Sequence, residues 1–450
     1  MPKPKWEAEI NGRHKKIVLV SPGSLHAWES LGLGYLASYS YEFGFSPQQY
    51  RFFTGEFDSV EETLAGCEDA DVVGFSLTSF QVESCLALVR AIKKINPRSK
   101  IVWGGYAVSG LAKSQLLERY GDDVDHFVQG PGEESWIELL LSPNAPRVIR
   151  KSLTGELNKF PFPDRNLIRI DRNFEKLRRR GEKRKTSMEL QRGGCPFGCV
   201  FCAAGSFTRT HGRSRTAENI VDEMEVLRDR YGMDKNSLVL ACDAEIFMTP
   251  EMYKMAELKI RRRIDFKFGI NAVASTILKP TARRVLEKLI EAGCTEIWMG
   301  VESDPSLMRL TGKPITPDQV REAFRITREM GLIRKAYFIL GFTPEENEQT
   351  VLNRIPFIKE IDPDIVGFTI YIPVPGSPGY HDEQHKHIDY AHACEYTNGY
   401  TRTKTLSNSD LHYWQQYLVR YFQDRITYRQ QDSETEKFIM LKDNTGRSGY

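Results

Sequence analysis

The 450-residue sequence lacks any stretch of about 20 apolar residues, the length that a helix needs to cross a lipid bilayer. Its start, MPKPKWEAEINGRHKK, also lacks the apolar core of a secretion signal. An excess of one charge sign is missing as well, because 62 Lys and Arg residues balance 60 Asp and Glu residues. These absences argue against a membrane or a nucleic acid as the partner, and we expect a cytoplasmic protein.

Cysteine is scarce, with eight residues in the whole chain. A small secreted domain held by disulfides would be far richer in cysteine, so no disulfide framework is expected. Three of the eight lie together between positions 195 and 202 and need their own explanation. The other five are expected to act as small buried hydrophobic residues; they are Cys67, Cys85, Cys242, Cys294 and Cys394.

The first third of the chain alternates short apolar runs with helical patterns. The runs KIVLV (16–20), DVVGFSL (71–77) and KIVW (100–103) predict strands. LGLGYLASYSYEFG (31–44) predicts a helix between two of them. This alternation is typical of a doubly wound parallel sheet, which binds ligands at the carboxyl edge of its strands.

The second half of the chain repeats the alternation. Thr249, Thr316 and Thr343 each precede a proline, a pattern that predicts helix starts. Gly293 and Gly331 lie where helices are expected to end in a left-handed residue. Six strand–helix units are too few for a closed eight-stranded barrel, so we expect an open, partial barrel. Its predicted strands are residues 187–191, 237–241, 266–270, 296–300, 335–340 and 365–371.

The sequence therefore predicts an α/β protein in four parts. We assign residues 1–145 to the doubly wound domain, 146–186 to a linker, 187–375 to the partial barrel and 376–450 to a C-terminal extension. The linker contains the basic run KLRRRGEKRK (176–185), which we interpret as a solvated loop. Contact with an acidic partner is the alternative for this run.

The segment GGCPFGCVFC places Cys195, Cys199 and Cys202 in the spacing C-x3-C-x2-C directly after a predicted strand. Three thiolates on one tight loop can bind three irons of a 4Fe–4S cubane and leave the fourth iron without a protein ligand. An open iron suits a cofactor that chelates through its own amino and carboxylate groups. A structural zinc site is the alternative, but it normally needs four protein ligands, and His211 is the nearest candidate for the fourth.

Polar residues follow two of the predicted barrel strands. Asn271 ends the strand FKFGI, and Asp243 and Glu245 follow the strand SLVLA. The carboxyl ends of barrel strands are where cofactor and substrate contacts are expected. For Asp243 and Glu245 the alternative is that they cap the next helix.

Residues 187–375 resemble the radical S-adenosylmethionine superfamily. The resemblance rests on the cysteine motif and on the segments SRTAENIVDEMEVL, GVESDPSLMRLTGK, YFILGFTPEE and YIPVPGSPGY, which follow it in the family's order. It implies a 4Fe–4S cluster on the three cysteines, with S-adenosylmethionine bound to the open iron. The implied contacts to S-adenosylmethionine are Phe201, Asn271, Glu302, Ser303 and Gly341, and Asp243 and Glu245 are further candidates for a cofactor or substrate contact.

Glu302 carries the most specific of these expectations. It follows a predicted strand, so its side chain is expected at the carboxyl edge, above the cluster. A buried carboxylate needs hydrogen-bond donors, and a ribose hydroxyl or the ammonium of S-adenosylmethionine would supply them. The alternative is a structural salt bridge to Arg325 or Lys335.

Residues 1–145 resemble the cobalamin-binding domain that precedes the barrel in many radical enzymes. The matching pieces are LGLGYLASY, DVVGFSLTS, WGGY and VQGPGEES. The D-x-H-x-x-G signature is absent and His26 does not fit it, so we expect no histidine ligand to cobalt. The usual GGPH segment reads GGYA here, and a domain that kept the fold but lost the cofactor is the alternative. The implied cobalamin contacts are Ser76, Thr78, Gly104, Gly105, Gly130 and Gly132.

Together the two resemblances imply a cobalamin-dependent radical methyltransferase. Such an enzyme abstracts hydrogen from an unactivated carbon with a 5′-deoxyadenosyl radical and delivers a methyl group from methylcobalamin, so that the cofactors carry the hard chemistry. The compact plan is similar to that of the enzymes that methylate side chains of methyl-coenzyme M reductase, which favours a protein or peptide substrate. A small molecule, as in antibiotic-pathway methylases, is the next candidate. An electron donor of the flavodoxin or ferredoxin type is also expected.

Other functions stay open at this point. The main alternative is a radical enzyme with a cobalamin-free N-terminal domain that dehydrates, cyclises or rearranges a small metabolite. A methylthiotransferase would carry a second cysteine triad, which the N-terminal domain lacks. An iron–sulfur electron carrier without enzymatic activity would not explain the GVES segment.

Overall fold

The computed structural model of the chain describes residues 14–22, 29–151, 156–179, 181–192, 194–207, 214–393, 396 and 398–425. His26, His211 and Cys394 lie outside these residues. The chain divides into two compact units, Met1–Asn173 and Phe174–Gly449. None of the helices in the described residues is long and apolar enough to cross a membrane.

The first unit is built on a sheet of six parallel strands. The strands are β1 (Ile17–Ser21), β2 (Tyr50–Thr54), β3 (Val72–Ser76), β4 (Lys100–Gly104), β5 (His126–Gln129) and β6 (Val148–Arg150). They lie in the order β2-β1-β3-β4-β5-β6, which confirms the doubly wound sheet. The order reverses beside β1, and ligands of such sheets bind in the crevice at this point. The helices are α1 (Leu31–Tyr41), α2 (Val60–Cys67), α3 (Val82–Ile95), α4 (Tyr106–Ser109), α5 (Lys113–Tyr120) and α6 (Glu133–Leu141).

The apolar strand β1 lies between two cores. Val18 and Val20 pack into one apolar cluster, and Ile17 and Leu19 pack into a second one. Successive side chains of a strand point to opposite faces, so a strand that is covered on both faces is apolar at every position. This explains why the sequence of β1 is a continuous apolar run.

The second unit contains six further parallel strands in sequential order, and its sheet curls into a half-barrel, which confirms the predicted partial barrel. The strands are β7 (Lys185–Met188), β8 (Leu238–Ala241), β9 (Lys267–Asn271), β10 (Cys294–Glu302), β11 (Ile333–Leu340) and β12 (Ile365–Ile370). The remaining helices are α7 (Ile170–Arg179), α8 (Ala204–Phe207), α9 (Ala217–Tyr231), α10 (Pro250–Arg261), α11 (Ala274–Ile277), α12 (Ala282–Glu291), α13 (Pro317–Glu329), α14 (Glu348–Ile361), α15 (Asp382–His385) and α16 (Asn408–Tyr421).

Two of the three predicted helix starts are confirmed. The hydroxyls of Thr249 and Thr316 accept hydrogen bonds from backbone N–H groups in the first turns of α10 and α13. The prediction at Thr343 is wrong, because α14 begins later and is capped by Asn347. Thr343 instead donates its hydroxyl to Glu345 within the preceding turn. The predicted helix ends are confirmed by the positive φ angles of Gly293 (98°) and Gly331 (77°).

The C-terminal extension contributes to the barrel core. Leu411 and Leu418 of α16 are fully buried in the same apolar cluster as the barrel strands. The side-chain amide of Gln415 donates to the carbonyl oxygen of Phe368 in β12, at 3.0 Å. Helix α16 therefore covers the last strand of the half-barrel.

Candidate functional site

The cysteine loop lies just after β7. Cys199 is buried, and Cys195 and Cys202 are partly buried. The backbone N–H of Cys202 donates to the carbonyl oxygen of Cys199 at 3.1 Å, which closes the turn between these two residues. Burial raises the pKa of all three thiols, that of Cys199 to about 12. They are therefore protonated until a metal displaces their protons.

Backbone N–H groups point at two of the three sulfurs. The N–H of Phe197 lowers the pKa of Cys195, and the N–H groups of Ala204 and Gly205 do the same for Cys202. Hydrogen bonds of this kind stabilise a thiolate and the cluster that it binds. In the described residues, no three His, Cys, Asp or Glu side chains surround one common metal position. Each thiolate of a 4Fe–4S cubane binds a different iron, and three cysteines on one loop, two of them with N–H groups directed at the sulfur, are a donor set that fits such a cluster.

Asp243 holds the turn that leads into the cysteine loop. Its carboxylate accepts hydrogen bonds from the backbone N–H groups of Leu190 (2.6 Å), Gln191 (2.9 Å) and Arg192 (2.7 Å). Gln191 adds a second link, because its side-chain amide exchanges two hydrogen bonds of 2.8 Å with the backbone of Phe247. Both Asp243 oxygens thus accept from backbone N–H groups of this turn, and the next helix is capped by Thr249 instead. A contact between Asp243 and a cofactor or substrate stays a prediction. The same turn ends β7 at Met188, earlier than predicted.

Glu245 lies close to the cysteine loop and caps a helix that the sequence did not indicate. One of its oxygens accepts from the backbone N–H of Val273 (3.0 Å) and from the hydroxyl of Thr276 (2.8 Å). These groups belong to the start of α11, whereas the next helix along the chain, α10, is capped by Thr249. Burial raises the pKa of Glu245 to about 7, and its charge in turn raises the pKa of the Cys195 thiol.

Asn271 closes the neighbouring strand end. Its side-chain NH2 group donates to the carbonyl oxygens of Ala241 (3.3 Å) and Asp243 (3.0 Å). Those bonds fix the orientation of the amide. The side-chain oxygen of Asn271 is therefore left to accept from a bound molecule.

Glu302 stands at an irregular strand end, with its carboxylate held by a lysine. The pairing of β10 with β11 shifts register between Gly300 and Glu302, and Glu302 has a φ of 71°. Its carboxylate contacts the ammonium of Lys313 at 2.7 Å. The two expected partners are engaged elsewhere, Lys335 with Glu296 and Arg325 with glutamates of its own helix. The alternative of a structural salt bridge thus named the wrong cations.

Lys313 is a residue of the candidate site that sequence reasoning missed. It is the last residue of the quoted segment GVESDPSLMRLTGK, but nothing in its spacing indicates that its side chain turns back to Glu302. Burial alone would lower its pKa, and the Glu302 carboxylate raises it overall. The lysine is therefore a buried, charged group within the site.

The other predicted contacts occupy neighbouring strand ends. Ser303 is fully buried, and its hydroxyl lies 3.4 Å from the carboxylate of Asp304. Gly341 ends β11 with a φ of 77°, and its N–H donates to Glu346 at 2.8 Å. Phe201 is partly exposed within the cysteine loop. These residues, with Asn271 and Glu302, lie along the carboxyl edge of the half-barrel.

The predicted cobalamin contacts follow three adjacent strands of the first unit. Ser76 ends β3 and Thr78 follows it, Gly104 ends β4 and Gly105 follows it, and Gly130 and Gly132 follow β5. The carboxyl ends of these parallel strands share one edge of the sheet. Thr78 is partly engaged, since its N–H and hydroxyl donate to Gln81 at 2.8 and 3.2 Å.

The fold requires glycine at position 105 but not at position 104. Gly105 has a φ of 92°, and a Cβ there would lie 2.6 Å from the carbonyl oxygen of Leu77, so the fold itself requires glycine. A Cβ on Gly104 would meet no atom closer than 3.7 Å. Packing against the described residues does not require glycine at position 104, so this strand end leaves room for the close approach of a bound molecule. This edge therefore fits a cobalamin nucleotide tail.

Models of two known protein families match the two regions of the chain that carry these residues. Residues 192–355 match the model of the Radical SAM superfamily, and residues 16–140 match that of the B12 binding domain. An uncharacterized methyltransferase of Pyrococcus horikoshii is 25% identical over 328 residues, 69% of this chain and 68% of the relative. The anaerobic magnesium-protoporphyrin IX monomethyl ester cyclase of Rubrivivax gelatinosus is 23% identical over 71% of this chain and 59% of the relative.

The fold is also found among solved structures. The cobalamin-dependent S-adenosylmethionine radical enzyme OxsB, with aqua-cobalamin bound, superposes with a TM-score of 0.68. The match covers 98% of this chain and 75% of OxsB, at 15% sequence identity. At this identity the likeness concerns the fold, and the chemistry has to be argued from the residues above.

Proposed function

Because the chain belongs to the radical S-adenosylmethionine superfamily and carries a B12-binding domain ahead of its half-barrel, we propose that it is a methyltransferase acting on an unactivated carbon. Its cofactors are a 4Fe–4S cluster, S-adenosylmethionine and cobalamin. The observation that carries the proposal is the pairing of two sites in one chain. One is a cysteine loop suited to an open cluster, and the other is a sheet edge whose Gly104 has no packing role.

The residues of the second unit would hold the cluster and S-adenosylmethionine. Cys195, Cys199 and Cys202 would bind three irons, and Asp243 fixes the turn that presents them. When bound, the cluster and S-adenosylmethionine supply a 5′-deoxyadenosyl radical, and cobalamin supplies the methyl group.

Two strand-end residues would then orient S-adenosylmethionine. Asn271 offers an amide oxygen in a fixed orientation, and Glu302 offers a carboxylate positioned by Lys313. Ribose hydroxyls and the ammonium group are the donors that these acceptors suit. Phe201, Ser303 and Gly341 are the remaining contacts that we assign to this cofactor.

The substrate class is a further part of the proposal. We assign a protein or peptide side chain first and a small molecule second. The enzyme acts on a substrate and needs a reductant, and we assign that role to a flavodoxin- or ferredoxin-type donor in the cytoplasm. The relative from Rubrivivax gelatinosus, named a cyclase, keeps ring formation as the second candidate function. Methyl transfer to cobalamin separates the two reactions, because a cyclase does not need it.

The first experiment measures metal content and S-adenosylmethionine cleavage in protein purified without oxygen. We expect about four irons per chain, and 5′-deoxyadenosine formation after reduction. Replacing Cys195, Cys199 or Cys202 with alanine should abolish 5′-deoxyadenosine formation.

Cys294→Ala is the matched control, because Cys294 starts β10 at the opposite end of the strand from Glu302 and should leave cleavage intact. One tightly bound zinc in the wild type would contradict the proposal. So would cleavage that survives in the triple alanine variant.

A further inference from the structure

Lys313 is fixed inside the second unit by two strong contacts. Its ammonium donates to the carboxylate of Glu302 at 2.7 Å and to the carbonyl oxygen of Gly300 at 2.8 Å. Only 10% of the lysine side chain and 7% of the glutamate side chain are exposed. A Cβ on Gly300 would lie 2.4 Å from the lysine nitrogen, so the strand passes directly against the ammonium. A buried cation held this closely has a defined position.

The residues just before Lys313 pack on the cysteine loop. The backbone N–H of Val200 donates to the carbonyl oxygen of Thr311 at 2.9 Å. Gly312 has a φ of 69°, and a Cβ there would lie 2.9 Å from the carbonyl oxygen of Gly198 and 3.6 Å from Cα of Cys199. The turn at 311–313 therefore joins the cysteine loop to the strand end that carries Glu302.

Negative charges outnumber positive charges around the cysteines once a metal is bound. Three thiolates add negative charge, and the carboxylates of Glu302 and Glu245 also face this site. Lys313 is a fixed cation beside the cysteine loop, because it directly follows Gly312, whose backbone packs against Gly198 and Cys199. In a buried site such a charge acts with little screening by water.

We propose that Lys313 is a positioning residue that raises the reduction potential of the 4Fe–4S cluster. The reduced cluster carries one more negative charge than the oxidised cluster, so a fixed cation nearby stabilises the reduced form. Glu302 weakens this effect, because its carboxylate lies 2.7 Å from the Lys313 ammonium and offsets part of the lysine's positive charge. The inference rests on the cluster assigned under the proposed function.

The test is a redox titration of the full-length protein, followed by the electron paramagnetic resonance signal of the reduced cluster. Lys313→Gln should shift the midpoint potential downward, and Lys313→Arg, which keeps the charge, should restore it toward the wild-type value. Glu302→Gln should shift the midpoint upward, because it leaves the lysine charge uncompensated.

Lys335→Gln is the matched control. Lys335 is also largely buried and also pairs with a glutamate of β10, Glu296 at 3.0 Å, but both residues lie near the starts of their strands, at the opposite end of β10 from Glu302. Its midpoint potential should equal that of the wild type.

Equal midpoints in Lys313→Gln and wild type, at equal iron content, would overturn the inference alone. Equal shifts in Lys313→Gln and Lys335→Gln would do the same. If Lys313→Gln does not retain its cluster, an unchanged or lowered midpoint in Glu302→Gln would overturn it. A wild-type protein without a cluster would overturn the proposed function and this inference with it.

Discussion

Glu302 has a strained backbone conformation that the surrounding residues hold in place. A non-glycine residue with a φ of 71° is strained by roughly 1–2 kcal/mol, and such strain persists where the surroundings hold it in place. Here the register shift in β10 and the contact to Lys313 provide that hold. The strain turns the carboxylate toward the site, which agrees with a functional role.

At this scale the sequence predicted which residues are near the cluster better than it predicted what they do. Asp243 and Glu245 were identified by their position after a strand. Their hydrogen-bond partners lie 28 to 53 residues away in the chain, at Leu190, Gln191, Arg192, Val273 and Thr276. Contacts between distant residues depend on the fold, so neither spacing nor residue type could predict them.

Glu245 should give the iron-free protein a measurable dependence of stability on pH. Its pKa is raised from 4.5 to about 7, so the folded form keeps a proton that the unfolded chain releases. The free energy of unfolding should therefore fall as pH rises through this range and level off above it, by on the order of 3 kcal/mol.

Glu245→Gln retains the acceptor for Val273 and Thr276 but does not titrate. Urea unfolding of both proteins at a series of pH values measures the difference. If the free energies of unfolding of the two proteins differ by the same amount at every pH from acidic to neutral, the prediction is contradicted.

At the scale of elements, apolar runs and helix caps predicted most of the architecture. The helix starts at Thr249 and Thr316 are where the sequence placed them, and the barrel strands other than β7 begin and end within two residues of the predicted bounds. Strands β5 and β6 were missed because they contain only four and three residues. Strand β2 was missed although its five residues alternate between buried and partly buried positions. The helix start predicted at Thr343 was wrong because Glu345 and Glu346 belong to the turn that follows Gly341. The Gly341 N–H donates to Glu346, and the Thr343 hydroxyl donates to Glu345 instead of capping a helix.

The strand end at Gly104 offers a test of cobalamin binding that does not disturb the fold. Gly104→Ala and Gly104→Leu place progressively larger groups where the chain itself leaves room. We expect cobalamin retained after desalting to fall with side-chain size, by about tenfold or more for leucine, which corresponds to about 1.4 kcal/mol of binding.

The iron content and the thermal unfolding midpoint should stay at wild-type values in both Gly104 variants. Gly105 is unsuitable for this test, because any side chain there would collide with the backbone of Leu77. Wild-type cobalamin retention in Gly104→Leu would show that the tail binds elsewhere.

At the scale of the whole molecule, the order of the two sites along the chain was readable from motifs. A glycine-marked sheet edge comes first and the cysteine loop follows, and the two family models match these same regions. The substrate was not readable, because substrate specificity depends on the shape and chemistry of a site rather than on the fold. The assignment of a protein or peptide side chain as the substrate therefore needs its own experiment.

The central claim, methyl transfer through cobalamin, can be measured without knowing the substrate. Protein purified without oxygen and supplied with cobalamin is reduced and incubated with S-adenosylmethionine that carries a deuterated methyl group, and the bound cobalamin is analysed by mass spectrometry. We expect methylcobalamin that carries the deuterated methyl group. Formation of 5′-deoxyadenosine with no label on the cobalamin would contradict methyl transfer and favour a radical rearrangement or cyclisation instead.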